Sequence, residues 1–365
     1  MCAASWTPSS TRSNPRNHVS ADERDDGPTA LPWLPLLPWQ LEATRSALAQ
    51  RATWPHALLV HGRRGIGKHA LALNFAQALL CETPRPDGLA CGECPSCRYA
   101  IAGQHPDLIR LELLEPDATD GALTEVDTIA IDRVRTLTES VQLTSHRGRA
   151  KVAVIAPADR MNVAAANALL KTLEEPPADT FLILVTEQHG RVPATILSRC
   201  RQFAAPLPSA DDARAWLART GVAAPELVLA QAAGAPLAAL TLADPDVQSE
   251  RRAWLTALSR PAQLSVAALA GRIEAGGRDE RKARLARALD WLIAWSADIA
   301  RVRAGDAARQ NPDAAEALAR LAPQVAPIPL FRYHRLLLAQ RALLAHPLQP
   351  RLVVEAALID YKALF

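Results

Sequence analysis

Residues 62–69 read GRRGIGKH. Gly62, Gly65, Gly67 and Lys68 follow the pattern G-x-x-x-x-G-K-[ST]. In that loop backbone N–H groups cradle phosphates, the lysine reaches the β- and γ-phosphates, and the hydroxyl binds Mg²⁺. Position 69 is a histidine instead, and Mg²⁺ is a hard ion that prefers oxygen ligands. Nucleotide hydrolysis also needs a strand that ends in acidic residues, one for the metal and one to orient the attacking water. The apolar run VAVI (152–155) occupies that place, and Ala156 and Pro157 follow it. Neither can coordinate a metal or accept a proton. Asp159 stands two positions further on and reads as a turn residue. Lys68 can still meet a phosphate, so weak ATP binding stays open; hydrolysis by this chain alone does not.

A second set of reactive side chains lies just beyond. Cys81, Cys91, Cys94 and Cys97 form C-x₉-C-x₂-C-x₂-C, which gathers four of the chain's 6 cysteines. Thiolates two residues apart can share one tetrahedral Zn²⁺, and a fourth cysteine nearby closes a Cys₄ site. A pair of disulfides is the competing reading, but the short spacing strains such bonds and a reducing compartment disfavours them. With four cysteines as ligands no position is left for a reactive water, so the zinc is expected to be structural. Cys200 and Cys2 fall outside the cluster.

Elements that could hold these groups are legible on either side of them. ALLVH (57–61), KVAVIAP (151–157) and TFLILVT (180–186) are short apolar runs bounded by turn signals, the form of buried parallel strands. HALALNFAQALL (69–80) and MNVAAANALLKTLEE (161–175) are helical, the latter stopped by Pro176–Pro177. A further helix is expected near 129–141, with Ile131, Val134, Leu137 and Val141 on one face. Strand–loop–helix repetition implies a parallel α/β sheet covered on both faces. After LPSADD (207–212) strand signals stop; Ser209 and Asp212 read as a capping box that opens a helix over 210–219. The remainder is rich in Ala, Leu and Arg with helical periodicity, longest over 279–303. The expected layout is an extension over 1–30, a P-loop domain over 31–206 with its zinc module at 81–97, a small helical lid domain over 207–245, and an all-α domain over 246–365.

Composition is that of a globular protein: 365 residues, 49% hydrophobic, 22% charged, net charge +3. So mild a basic bias does not by itself argue for nucleic acid. His146, Arg147, Arg149 and Lys151 could face DNA, but a charged turn before a buried strand is the commoner arrangement. The polar N-terminus has no apolar signal core, and LPWLPLLPW (31–39) is far shorter than the roughly 20 residues of a membrane span. A soluble, cytoplasmic protein with no membrane contact is expected. The eight tryptophans, Trp291 and Trp295 among them, read as helix-packing residues.

Three stretches carry a family resemblance: NALLKTLEEPP (167–177), the apolar strand that ends at Thr186, and the triplet Ser198–Arg199–Cys200. With the four-cysteine module after the P-loop helix, residues 39 to about 240 closely resemble the clamp-loader branch of the AAA+ ATPases, as found in bacterial DNA polymerase III. The all-α remainder resembles that branch by layout only, where it would be the collar through which subunits oligomerise. ATPase members of the gamma/tau type keep a hydroxyl after the P-loop lysine, an Asp-Glu pair at the positions of Ala156 and Pro157, and a nucleotide-sensing arginine at the position of Pro236. This chain lacks all three. The resemblance therefore implies a non-hydrolysing member of a hetero-oligomeric ring, with gamma/tau and delta subunits as partners. The sliding clamp and primer-template DNA would be reached through the complex. It further implies that Arg199 acts as an arginine finger in a neighbour's ATP site. An active ATPase of gamma/tau type is the alternative.

Overall fold

The computed structural model describes residues 33–116, 123–125, 128–345 and 349–365; the expected extension over 1–30, with Cys2, lies outside them. The chain divides into two compact units, with the boundary after Asp212.

In the first unit helix α1 (Leu41–Leu48) leads to strand β1 (Ala57–His61), helix α2 (Lys68–Leu80), helix α3 (Pro95–Ile101) and strand β2 (Leu108–Glu112). The short strands β3 (Leu114–Pro116) and β4 (Leu123–Glu125) pair antiparallel beside the main sheet. Then follow α4 (Ile131–Gln142), β5 (Lys151–Ala156), α5 (Val163–Glu174), β6 (Thr180–Thr186), α6 (Ala194–Leu197) and β7 (Arg201–Ala204).

The five long strands form one sheet in the order β2-β5-β6-β1-β7, every pair parallel. Its three inner strands are those that read as continuous apolar runs, because strands buried on both faces have no solvent side to mark. The edge strands LIRLE and RQFA carry charges and escape that rule. Register places Glu112 beside Ala156 and His61 beside Thr186, so the carboxyl ends of β2, β5, β6 and β1 lie along one rim. That rim is where open α/β sheets bind ligands.

Helix α2 is buried on every side, from Lys68 at its start to Leu80 at its end. A helix apolar all round belongs in a core. Its Phe75 lies between Trp54 and Phe203, with ring centroids 5.1 and 5.3 Å away. On α4 and α5, Val134, Leu137, Leu169 and Leu173 belong to the same apolar cluster as Leu59, Ile155 and Leu184 of the sheet.

The second unit is helical. Helix α7 (Ala210–Arg219) spans the boundary, opened by Ser209, whose Oγ accepts the Asp212 N–H at 3.1 Å. Helices α8 (Pro225–Gln231) and α9 (Pro236–Leu242) complete a small cluster around Ala213, Leu217, Val228, Leu229 and Ala239. A larger core joins α10 (Pro245–Leu258), α11 (Val266–Gly271), α12 (Arg278–Arg303), α13 (Ala315–Leu321), α14 (Pro327–Ala342) and α15 (Pro350–Lys362). Within it Trp295 Nε1 donates to Tyr361 Oη at 2.9 Å, and that hydroxyl donates to the Leu258 carbonyl at 2.7 Å. Trp254, Trp291 and Trp295 are all buried there, so they pack helices as expected. Among the described residues no single helix is long and apolar enough to cross a membrane.

Candidate functional site: a P-loop, a four-cysteine cluster and Arg199

The loop Gly62–Lys68 connects β1 to α2, and Gly67 caps the helix with φ +91°. Only glycine adopts that conformation without strain. The chain ahead of α1 also lies across it. A Cβ on Gly67 would collide with the Leu37 side chain and come within 2.8 Å of Gln40 Nε2. Trp39 Nε1 and Gln40 Nε2 donate to the Ile66 carbonyl at 3.1 and 3.2 Å, and Gln40 Nε2 also reaches the Gly67 carbonyl at 2.9 Å.

The motif's lysine is turned to its own loop. Lys68, 4% exposed along its side chain, donates from Nζ to the Arg63 carbonyl at 2.6 Å and has Glu187 Oε1 at 3.9 Å. Burial pushes its pKa below the ordinary lysine value, against the opposing pull of Glu187 and Asp159.

His69 points to the neighbouring strand end. Its Nε2 lies 2.8 Å from Glu112 Oε1, and Arg110 Nη2 is 2.7 Å from that same oxygen. Burial raises the Glu112 pKa, but the hydrogen bond from His69 and the charges of His69 and Arg110 outweigh it and the net shift is downward. Glu112 is therefore ionised, and Nε2 must carry the proton it donates. A carboxylate thus stands beside the end of β5, on the adjacent strand, engaged by the His69 imidazole and the Arg110 guanidinium. The sequence reading missed it because β2 is an edge strand. On β5 itself Ala156 is buried and followed by Pro157.

Asp159 is more than a surface turn residue. Its Oδ1 accepts the Thr186 hydroxyl at 2.7 Å and the Glu187 N–H at 3.1 Å, which pins the end of β6. Pro236, at the position where the resemblance puts a sensing arginine in gamma/tau members, is the first residue of α9 and is buried.

All four predicted cysteine ligands come together: the Sγ atoms of Cys81, Cys91, Cys94 and Cys97 lie within 4.8 Å of one another. Cys81–Cys94 and Cys91–Cys97 are 3.9 and 3.8 Å apart. A tetrahedral zinc with Zn–S of about 2.3 Å separates its sulfurs by about 3.8 Å, so the cluster fits that ion. Backbone N–H groups face the sulfurs: Cys94 N donates to Cys91 Sγ at 3.3 Å, and Cys97 N to Cys94 Sγ at 3.4 Å. The Thr83 hydroxyl and the N–H groups of Cys94 and Glu93 hold the Cys91 thiol down to about 6.

The cluster is tied to the turn before β5. Arg147 Nη2 reaches Glu82 Oε1 at 2.6 Å, its guanidinium stands 5.6 Å from the Tyr99 ring, and Arg149 Nη1 touches the Cys81 carbonyl at 3.4 Å. Asp107, fully buried, accepts the N–H groups of His146 and Arg147 at 2.8 and 3.0 Å. Lys151, weighed as a DNA contact, is buried and donates to the Ser140 and Leu143 carbonyls at 2.8 and 2.7 Å. It has no free face to offer DNA.

Ser198–Arg199–Cys200 follows α6 and precedes β7. Arg199 is 34% exposed along its side chain; Nε and Nη2 contact Glu174 Oε1 at 2.8 and 2.5 Å, and Nη1 donates to the Thr195 carbonyl at 2.9 Å. Cys200 is buried, and burial pushes its thiol up to about 12.

Fold and site together define an AAA+ P-loop protein with a histidine after the loop lysine and Ala156–Pro157 at the end of β5. Comparison narrows the class. The family model described as DNA polymerase III, delta subunit, matches residues 40–207. The DNA polymerase III subunit delta' of Pseudomonas aeruginosa is 39% identical over 270 residues, covering 73% of this chain and 77% of that protein. Its Escherichia coli counterpart is 35% identical, covering 74% of this chain and 78% of its own. The tau subunit of Salmonella typhimurium is 38% identical over 148 residues, only 40% of this chain and 21% of that protein. The chain belongs to the family of DNA polymerase III delta' subunits.

Proposed function

We propose that this chain is a non-hydrolysing member of the clamp-loader ring of DNA polymerase III, which supports a neighbouring gamma/tau subunit's ATPase by contributing Arg199. The observation that carries the first half is the rim beside the loop. There His69 is bound to Glu112, and β5 ends in Ala156 with Pro157 after it. Both protein ligands for Mg²⁺ are missing, so an ATP that met Lys68 would lack its metal clamp. The lysine's bond to Arg63 and the chain laid over Gly67 argue further against nucleotide binding.

In this reading Arg199 stabilises charge on the phosphoryl group transferred in the neighbour's site, a contribution worth roughly 10³–10⁵ in rate for arginine fingers of GTPases. Cys81, Cys91, Cys94 and Cys97 hold a structural zinc. Residues 207–245 form the lid and 246–365 the collar that meets the gamma/tau and delta subunits. The sliding clamp and primed DNA are engaged through the assembled complex, in the cytoplasm.

The test is reconstitution with gamma/tau and delta subunits. Arg199→Ala is expected to leave assembly intact and to abolish turnover at the one site it serves, measured as DNA- and clamp-stimulated ATPase. Unchanged stimulated ATPase removes the finger. Mg²⁺-dependent turnover by the isolated chain that Lys68→Ala abolishes would instead establish an active gamma/tau-type subunit.

A further inference from the structure

Four of the five donors of Arg199 are engaged within the chain. A guanidinium has five N–H donors. Here Nε and one N–H of Nη2 go to Glu174 Oε1, and Nη1 serves both the Thr195 carbonyl at 2.9 Å and Ser198 Oγ at 3.2 Å. That leaves one donor, on Nη2, for anything outside the chain. A group that must clasp a developing phosphoryl charge needs its fork free.

The partner that holds it has no evident structural reason to be acidic. Glu174 is the last residue of α5, and Glu175 follows it. A carboxylate at a helix C-terminus is opposed by the helix dipole, which favours cations there. Its side chain is 49% exposed and packs into no core. Thr195 and Ser198 supply neutral acceptors; Glu174 alone supplies charge.

We propose that Glu174 is a positioning residue that parks Arg199. It holds the guanidinium against the end of α6 and gives it up only when the more strongly charged phosphates of a neighbour's nucleotide compete for it. This rests on the finger reading given above. An exposed pair is weak enough to be displaced, yet it keeps a long side chain in one place, which fits a holding contact.

The experiment uses the reconstituted complex with primed DNA and clamp. The turnover that depends on Arg199 is taken as the wild-type rate minus the Arg199→Ala rate. Glu174→Gln keeps an acceptor without the charge and is expected to raise that difference about two- to five-fold, the range an exposed ion pair supports. The ratio of variant to wild type should shrink as salt rises, because the pair is screened. The double variant Glu174→Gln, Arg199→Ala should match Arg199→Ala alone. A role for Glu174 in folding or assembly would still lower the double variant. If Glu174→Gln leaves the difference unchanged or lowers it while Arg199→Ala is defective, parking is wrong and the finger stands. If Arg199→Ala has no effect, the finger reading fails, and parking with it.

Discussion

At position 69 an imidazole does the work of a wedge between loop and sheet rather than that of a ligand. Glu112 is buried with only 4% of its surface exposed, and the His69 imidazole and Arg110 guanidinium both meet its Oε1. His69→Thr would restore the P-loop motif on paper. The expected outcome is the opposite of a gain: no nucleotide turnover, because β5 still ends in Ala156 with Pro157 after it, and a loss of about 1–3 kcal/mol from the hydrogen bond withdrawn from a buried carboxylate. Urea unfolding and an ATPase assay on the isolated chain check both halves. Turnover by His69→Thr alone would show that the strand end matters less than the hydroxyl. Sequence reasoning placed Lys68 in a loop between strand and helix, since that rests on residue type at fixed spacing. It could not find that Lys68 folds back on Arg63 or that Glu112 answers His69. Both depend on which strands become neighbours, and a one-dimensional pattern does not say so.

Among the elements, the cysteine module and the turn before β5 form one braced assembly. Glu82 follows Cys81 directly and binds Arg147, while Arg149 reaches the Cys81 carbonyl. With the structural zinc proposed above in place, its extraction by a strong chelator should therefore do more than empty a surface site. It is expected to lower the melting temperature by several degrees and to speed amide exchange in residues 144–150, with metal analysis giving about one zinc per chain beforehand. Unchanged exchange in that turn would mean the brace does not depend on the metal. The cysteine set was legible because metal ligation fixes both residue type and spacing. The inner strands β1, β5 and β6 were legible for the related reason that burial on both faces leaves an unbroken apolar run. Strands β2 and β7 were not, and with them went the partners of α2 and α4. An edge strand such as LIRLE mixes charge with apolar residues and resembles a loop.

On the scale of the molecule, each unit carries its own apolar core. That of the helical unit centres on fully buried Trp254, Trp295 and Tyr361. Trp295→Ala removes a large side chain and a hydrogen bond to Tyr361, and should cost about 3–5 kcal/mol. The loss is expected to fall on the helical unit, so calorimetry should show a lowered transition while zinc content stays unchanged. Loss of zinc on the same substitution would mean that the units do not fold separately. The helical layout after residue 207 was visible in periodicity alone, including the cap at Ser209. Which helices share a core was not, because pairing among Ala- and Leu-rich helices leaves no mark in their spacing. The crossing of Leu37–Gln40 over Gly67 also has an evolutionary side. Under the non-hydrolysing role proposed above the loop is relieved of catalysis and free to drift, yet Gly67 is pinned by Leu37 and Gln40. Across related genes position 69 should wander while position 67 stays glycine wherever the bulky residue at 37 persists. The glycine of the motif would then persist through steric fit alone, whatever becomes of the chemistry.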